Sequence, residues 1–173
     1  ATNTILITAT RYKKPDAIRE LEDAVFDAKR QKYPKVPYLI KHQYSDKTAN
    51  DLTRAIIDFV RLRGGEAERI NTTGRPIDRR VAYTDVVGMT RTVGSIEWIK
   101  GTGTRGSADI SATIKGQSVK IEVKIGTDRQ SQAQKEYEKN IEAAGGIYYI
   151  ARDFTSFVEW YHSKFGKGEN NGK

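Results

Sequence analysis

The chain has 173 residues, carries 30 Lys+Arg against 22 Asp+Glu for a formal charge of +8, and contains no cysteine. The length suits one domain with its own core, and the missing cysteines exclude disulfides, zinc-thiolate sites and cysteine nucleophiles. The basic surplus suits a polyanionic partner, nucleic acid first, while the two histidines, His42 and His162, are too few for a multi-histidine metal centre.

Residues 1–47 read as an N-terminal extension. Thr4 to Thr10 is expected to form a short strand; Thr4-Ile-Leu-Ile-Thr is too short for a signal peptide, and no stretch reaches membrane-span length, so the expectation is a cytoplasmic protein without a membrane partner. Pro15 to Lys32 is expected to be a helix, with Pro15 in its first turn and Ile18, Leu21, Val25 and Ala28 at helical spacing. Lys29, Arg30 and Lys32 complement the dipole at its end. Pro34 and Pro37 make the following segment extended.

The main domain is expected over 48–165. Thr48 to Arg63 reads as a second helix with Leu52, Ile56, Phe59 and Val60 as its buried stripe, ended by Gly64-Gly65, and Glu66 to Ile70 as a strand. Asn71 to Gly94 resists assignment: a strand fits Val81 to Val87, and Arg75, Arg79, Arg80 and Arg91 are candidates to grip phosphates. Gly94 to Lys100 reads as a further strand. Gly101-Thr-Gly-Thr-Arg-Gly106 lacks the Gly-Lys-Ser/Thr ending of a P-loop; it is expected to be a flexible turn that lets a nucleic-acid backbone approach Arg105.

The most informative stretch is Gly106 to Lys124. Ala108, Ile110, Ala112 and Ile114 alternate with polar residues, and so do Val119, Ile121, Val123 and Ile125, around a Lys-Gly-Gln turn signal. Strict period-two alternation means half-buried strands, here joined as a hairpin. A Lys115-Gly116 turn sets Asp109 opposite Glu122; a Gly116-Gln117 turn sets it opposite Lys124. Either register gathers Asp109, Glu122 and Lys124 on one polar face. Beyond it, Ser131 to Ala144 is expected to be a helix capped by Ser131, with Ala133, Tyr137, Ile141 and Ala144 as its core face. Ile147 to Ala151 is expected to be a buried strand parallel to the Glu122 strand, followed by a helix capped by Asp153 or Thr155. Residues 166–173 read as a disordered tail.

Two carboxylates and a lysine on one strand surface point to metal-assisted phosphate chemistry. Hard oxygen ligands bind Mg²⁺ or Mn²⁺, and a nearby ammonium steadies charge on phosphorus or orients the attacking water. Gly106-Ser-Ala-Asp109, Ile121-Glu-Val-Lys124 and Ser131-Gln-Ala-Gln134, in that order, resemble the PD-(D/E)xK nuclease superfamily, most of all its VRR-NUC branch; Ala108 stands where that branch usually has Pro. The resemblance covers roughly residues 48 to 161. It implies an α/β fold with a mixed central sheet flanked by helices, the restriction-endonuclease-like core. It implies Asp109 and Glu122 as metal ligands, helped by the Val123 carbonyl, Lys124 as the catalytic lysine and Gln134 as the active-site glutamine. Relatives often carry a further acid on the preceding helix, and Asp51 is the nearest candidate. The expected function is a Mg²⁺- or Mn²⁺-dependent nuclease acting on DNA in repair, recombination or phage DNA metabolism; the alternative is a non-catalytic nucleic-acid-binding module of the same fold. A homodimer would provide two sites for two strands.

Overall fold

The computed structural model describes residues 12–71, 74–99, 101 and 103–166; the strand expected over Thr4–Thr10 and the tail after Gly166 lie outside them. In chain order the elements are α1 (Asp16–Lys32), α2 (Ala49–Leu62), β1 (Glu66–Arg69), β2 (Arg75–Asp78), β3 (Val81–Thr84), β4 (Thr90–Val93), β5 (Ile96–Ile99), β6 (Ile110–Ile114), β7 (Gln117–Val123), α3 (Gln132–Ala143), β8 (Ile147–Ala151) and α4 (Phe154–Phe165). The central sheet has the order β1-β6-β7-β8. Its first two pairings are antiparallel and β7-β8 is parallel. The fold is therefore α/β with a mixed sheet flanked by four helices. Among the described residues no helix is long and apolar enough to cross a membrane.

Alternation along the hairpin assigns the two faces of this sheet. Ile110, Ala112, Ile114, Val119, Ile121 and Val123 are all buried and join α1, α2 and α4 in one core. On α2, Leu52, Ile56 and Val60 are wholly buried, as their 3.6-residue spacing requires. Phe59 meets Phe154, Phe157 and Tyr161 of α4 edge-on, an arrangement the aromatic quadrupole favours. Although α1 lies in the stretch read as an extension, its Ile18 and Leu21 are buried in this same core. The helix is held there by Glu22, which accepts from the Tyr44 N–H and from Lys14.

The hairpin register follows from its turn. Ile114 pairs with Gln117 and Ile110 with Ile121, so Lys115-Gly116 is the two-residue connection. Both turn residues have positive φ, 48° and 78°, as a type I′ turn demands. Continuing this register by one residue sets Asp109 against Glu122, the first of the two arrangements the sequence allowed.

Helix α3 departs from expectation. Its spacing predicts a core face of Ala133, Tyr137, Ile141 and Ala144, yet none of its residues is buried. It lies on the polar face of the sheet, touching β8, with Tyr137 edge-on to Tyr148. The opposite face of β8 is marked by Tyr149, stacked on Trp160 of α4 at 4.1 Å. Amphipathic spacing thus identifies the side of α3 that meets the sheet; the polar surface it meets limits how deeply that side is covered.

Candidate active site

The centre of the polar face is Glu122, 1% exposed in the middle of the sheet. Its position is dictated locally: it sits between Ile121 and Val123, whose burial on the far side turns Glu122 under α3. One carboxylate oxygen, Oε1, is held twice. The Gln134 side-chain amide donates to it at 2.5 Å, and the Lys124 ammonium lies 3.1 Å away. The other, Oε2, is buried without a hydrogen-bond partner. An unsatisfied buried carboxylate oxygen is costly, and such an atom in a folded site calls for an explanation.

The groups around Glu122 are placed with comparable specificity. Asp109 lies just before β6 and accepts the Val123 N–H through Oδ2 at 2.8 Å, which fixes one acid against the strand carrying the other. Its own carbonyl accepts from the Ile70 N–H, tying the start of β6 to the end of β1. Lys124 is 7% exposed; besides Glu122 it meets Asp128 Oδ2 at 3.4 Å, and its backbone N–H donates to Ala151 of β8. Gln134 has a second role. Its Oε1 accepts from the Ser131 N–H while the Ser131 hydroxyl accepts from the Gln134 N–H, a reciprocal capping box at the start of α3. The cap and the contact with Glu122 therefore fix a single side-chain conformation.

The electrostatics follow from this packing. Burial, reinforced by the negative charge of Asp109 and opposed by Lys124, pushes the Glu122 carboxyl up to about 7. Burial alone would lower the Lys124 ammonium, but Glu122 and then Asp128 outweigh it and hold it above its ordinary value. Tyr148 faces the same side of the sheet, paired in register with Lys120. Burial followed by the Glu122 charge raises the pKa of its buried hydroxyl, opposed by the neighbouring Gln130 side chain.

The structure thus brings together Asp109, Glu122, Lys124 and Gln134, with the Val123 backbone between the two acids. Asp51 is not part of that cluster. It sits in the first turn of α2, where its N–H donates to the Thr48 cap, and among the described residues no three His, Cys, Asp or Glu gather where they could hold one metal ion. Helical spacing alone could not settle this, because α2 packs on the apolar face of the sheet. Two contributors went unnoticed in the sequence: Asp128, four residues after Lys124, and Tyr148, hidden in an apolar run.

The arginines expected to grip phosphates are differently placed. Arg105 lines a cavity of about 280 Å³ with Thr104, Gln132, Ala133, Glu136, Tyr137 and Asn140, so a carboxylate shares that cavity with it. Gly106 next to it has φ +81°, and an added Cβ would lie 2.4 Å from the Ala133 carbonyl oxygen; only glycine lets the loop approach α3 so closely. The other four arginines sit on a two-stranded ribbon built from the stretch that resisted assignment. Pairs β2-β5 and β3-β4 keep one register from Arg75–Ile99 to Thr84–Thr90, and the Arg79 N–H donates to Ser95 between them. On this ribbon Arg79 pairs with Glu97, Arg80 with Asp78, and Arg91 with Asp85. Three of the four guanidinium groups thus already meet carboxylates of the ribbon itself.

No protein-family model matches the sequence, and no curated protein is similar to it.

Proposed function

We propose that this chain is a divalent-metal-dependent nuclease that hydrolyses phosphodiester bonds in DNA, with a restriction-endonuclease-like core of the PD-(D/E)xK kind. The observation that carries this reading is the asymmetric Glu122 carboxylate: Oε1 is held by Gln134 and Lys124, and Oε2 is buried without a hydrogen-bond partner from the protein. Buried side-chain oxygens in folded proteins are in the large majority satisfied. Here one oxygen is kept as an acceptor beside a second acid, and a bound cation would relieve both its lack of a partner and the repulsion from Asp109.

The donor set fits a hard cation. Asp109, Glu122 and the Val123 carbonyl would hold Mg²⁺ or Mn²⁺, which supplies Lewis acidity at a phosphate oxygen and lowers the pKa of a bound water. The chain's own residues do the rest. Gln134 orients the Glu122 carboxylate and, with Lys124, positions water for in-line attack on phosphorus. The Lys124 ammonium also offsets charge building on the phosphate in the transition state. Arg105 would meet a neighbouring phosphate, and the formal charge of +8 would draw the polyanion, so binding weakens as salt rises.

Purified protein with Mn²⁺ is tested on plasmid, flap and junction DNA beside Asp109→Ala and Lys124→Ala. Cleavage by the parent and a loss of at least about 10²-fold in both variants is the expected result. DNA binding with no cleavage by any of the three would instead make this a non-catalytic nucleic-acid-binding module.

A further inference from the structure

We infer that the ribbon formed by β2, β3, β4 and β5 is an arm through which two copies of this chain pair. This goes beyond the nuclease reading and does not depend on it. Strands of about ten residues at about 3.3 Å each make the arm roughly 30 Å long. Among the described residues it has no substantial packing against any helix or against the central sheet. An isolated two-stranded hairpin is marginal in water, so a ribbon of this length needs a covering surface.

Its composition says what kind of surface. Of the thirteen large apolar side chains left exposed among the described residues, nine lie on the arm: Val81, Tyr83, Val86, Val87, Met89, Val93, Ile96, Trp98 and Ile99. Each offers on the order of 100 Å², and they are divided between the two sides of the ribbon and its tip, so an area near the roughly 800 Å² per partner of a standard interface is reached only when two arms grip each other over both sides. Directly paired residues share a side, so Val81 with Val93 makes an apolar patch towards the tip, and Pro76 with Trp98 makes one on the other side of the ribbon near its base. Patches of this size are characteristic of an interface.

Charge selects the occupant. The four arginines are opposed by Asp78, Asp85 and Glu97 on the same ribbon, so the arm carries a net charge of only about +1 in a chain of +8. A phosphate backbone rewards unpaired cations, and three of these four are neutralised. Two strongly basic chains repel each other over most of their surface; the arm is where they can meet without that repulsion and with apolar area to bury. A second copy is the partner those two properties fit.

The test is sedimentation velocity on the whole chain at about 50 µM, above the micromolar dissociation constants expected of a weak interface of this area, beside the double variant Val81→Asp/Val93→Asp. The expected result is a parent of twice the 19.5 kDa chain mass and a variant of single-chain mass whose thermal midpoint matches that of the parent diluted to single chains, since neither residue belongs to the core. Hydrogen exchange of the ribbon amides should also slow as parent concentration rises. A single-chain parent at that concentration overturns the inference, as does a variant that stays dimeric. A monomeric parent whose arm variants lose DNA binding would make nucleic acid the occupant and overturns it equally. Cleavage by Asp109→Ala is irrelevant to every arm of this measurement, so a failed dimer and a failed nuclease are read separately.

Discussion

Gln134 and Glu122 meet between helix α3 and strand β7, the amide donating to Oε1 at 2.5 Å. The same glutamine closes the capping box of α3 through Ser131, so one side chain sets both where the helix begins and which oxygen of the central acid is occupied.

Replacing Gln134 therefore separates two effects. Gln134→Ala removes the half of the capping box in which Oε1 accepts the Ser131 N–H, leaving the Ser131 hydroxyl cap in place, and also strips a donor from a buried carboxylate. Gln134→Glu preserves cap geometry but sets a second carboxylate against Glu122. We expect Gln134→Glu to be the more destabilising, by about 1–3 kcal/mol at pH 8, with the gap between the variants narrowing at pH 5. Urea denaturation at the two pH values measures it; equal stability of the two variants at pH 8 would contradict the assigned contact.

Glu122 is predicted to trade stability for function. Glu122→Gln keeps an oxygen that can accept from Gln134 and Lys124 and removes the buried negative charge next to Asp109. The variant should melt at or above the parent midpoint at pH 8 while losing cleavage by more than about 10³-fold. A large fall in melting temperature together with retained cleavage would show that the carboxylate serves the fold instead.

The raised Glu122 carboxyl gives a pH dependence of definite sign. An unfolded glutamate ionises near about 4.3, whereas in the fold Glu122 holds its proton up to about 7. Between these values the native state binds the extra proton, so this group's contribution to stability is present at low pH and is lost as pH rises through that window, by about 4 kcal/mol in all. In the proposed nuclease the carboxylate must ionise to hold a cation, so Mn²⁺ affinity should climb as pH rises towards about 7 and level off above it. Isothermal titration with Mn²⁺ across pH 5.5 to 8 checks this, and a flat profile would remove Glu122 from the donor set.

Two glycines with nearly the same φ should respond differently. Gly116 (φ +78°) has open space where a Cβ would go, whereas a Cβ at Gly106 (φ +81°) would lie 2.4 Å from the Ala133 carbonyl oxygen and 2.9 Å from the Gln134 nitrogen. Gly116→Ala should cost only backbone strain, about 1–2 kcal/mol, and leave cleavage per folded molecule intact. Gly106→Ala should push the loop off the start of α3, shift Gln134 and reduce cleavage by about 10-fold or more even in the folded fraction, as misplacement near a site does. Chemical denaturation paired with cleavage assays on both variants provides the comparison.

What could be read in the chain alone was whatever repeats locally. Alternation from Ala108 to Ile125 assigned the apolar and polar faces of the hairpin and put Asp109, Glu122 and Lys124 on the same side, because side-chain direction in a strand has period two regardless of context. Helical spacing found α2 and its buried stripe, and Ser131 and Asp153 stood where N-caps belong. Tertiary structure decided the rest. It chose the Lys115-Gly116 register through two positive φ angles, and it laid α3 on the polar face, so that Gln134 reached Glu122 while Asp51 went with α2 to the other side of the sheet. It also paired Arg75–Thr84 with Thr90–Ile99 and so joined three arginines to acids of the same ribbon. Periodicity records which way a side chain points from its own backbone. Which partner it finds, and whether a buried oxygen is left without one, is settled by the packing of segments distant in sequence.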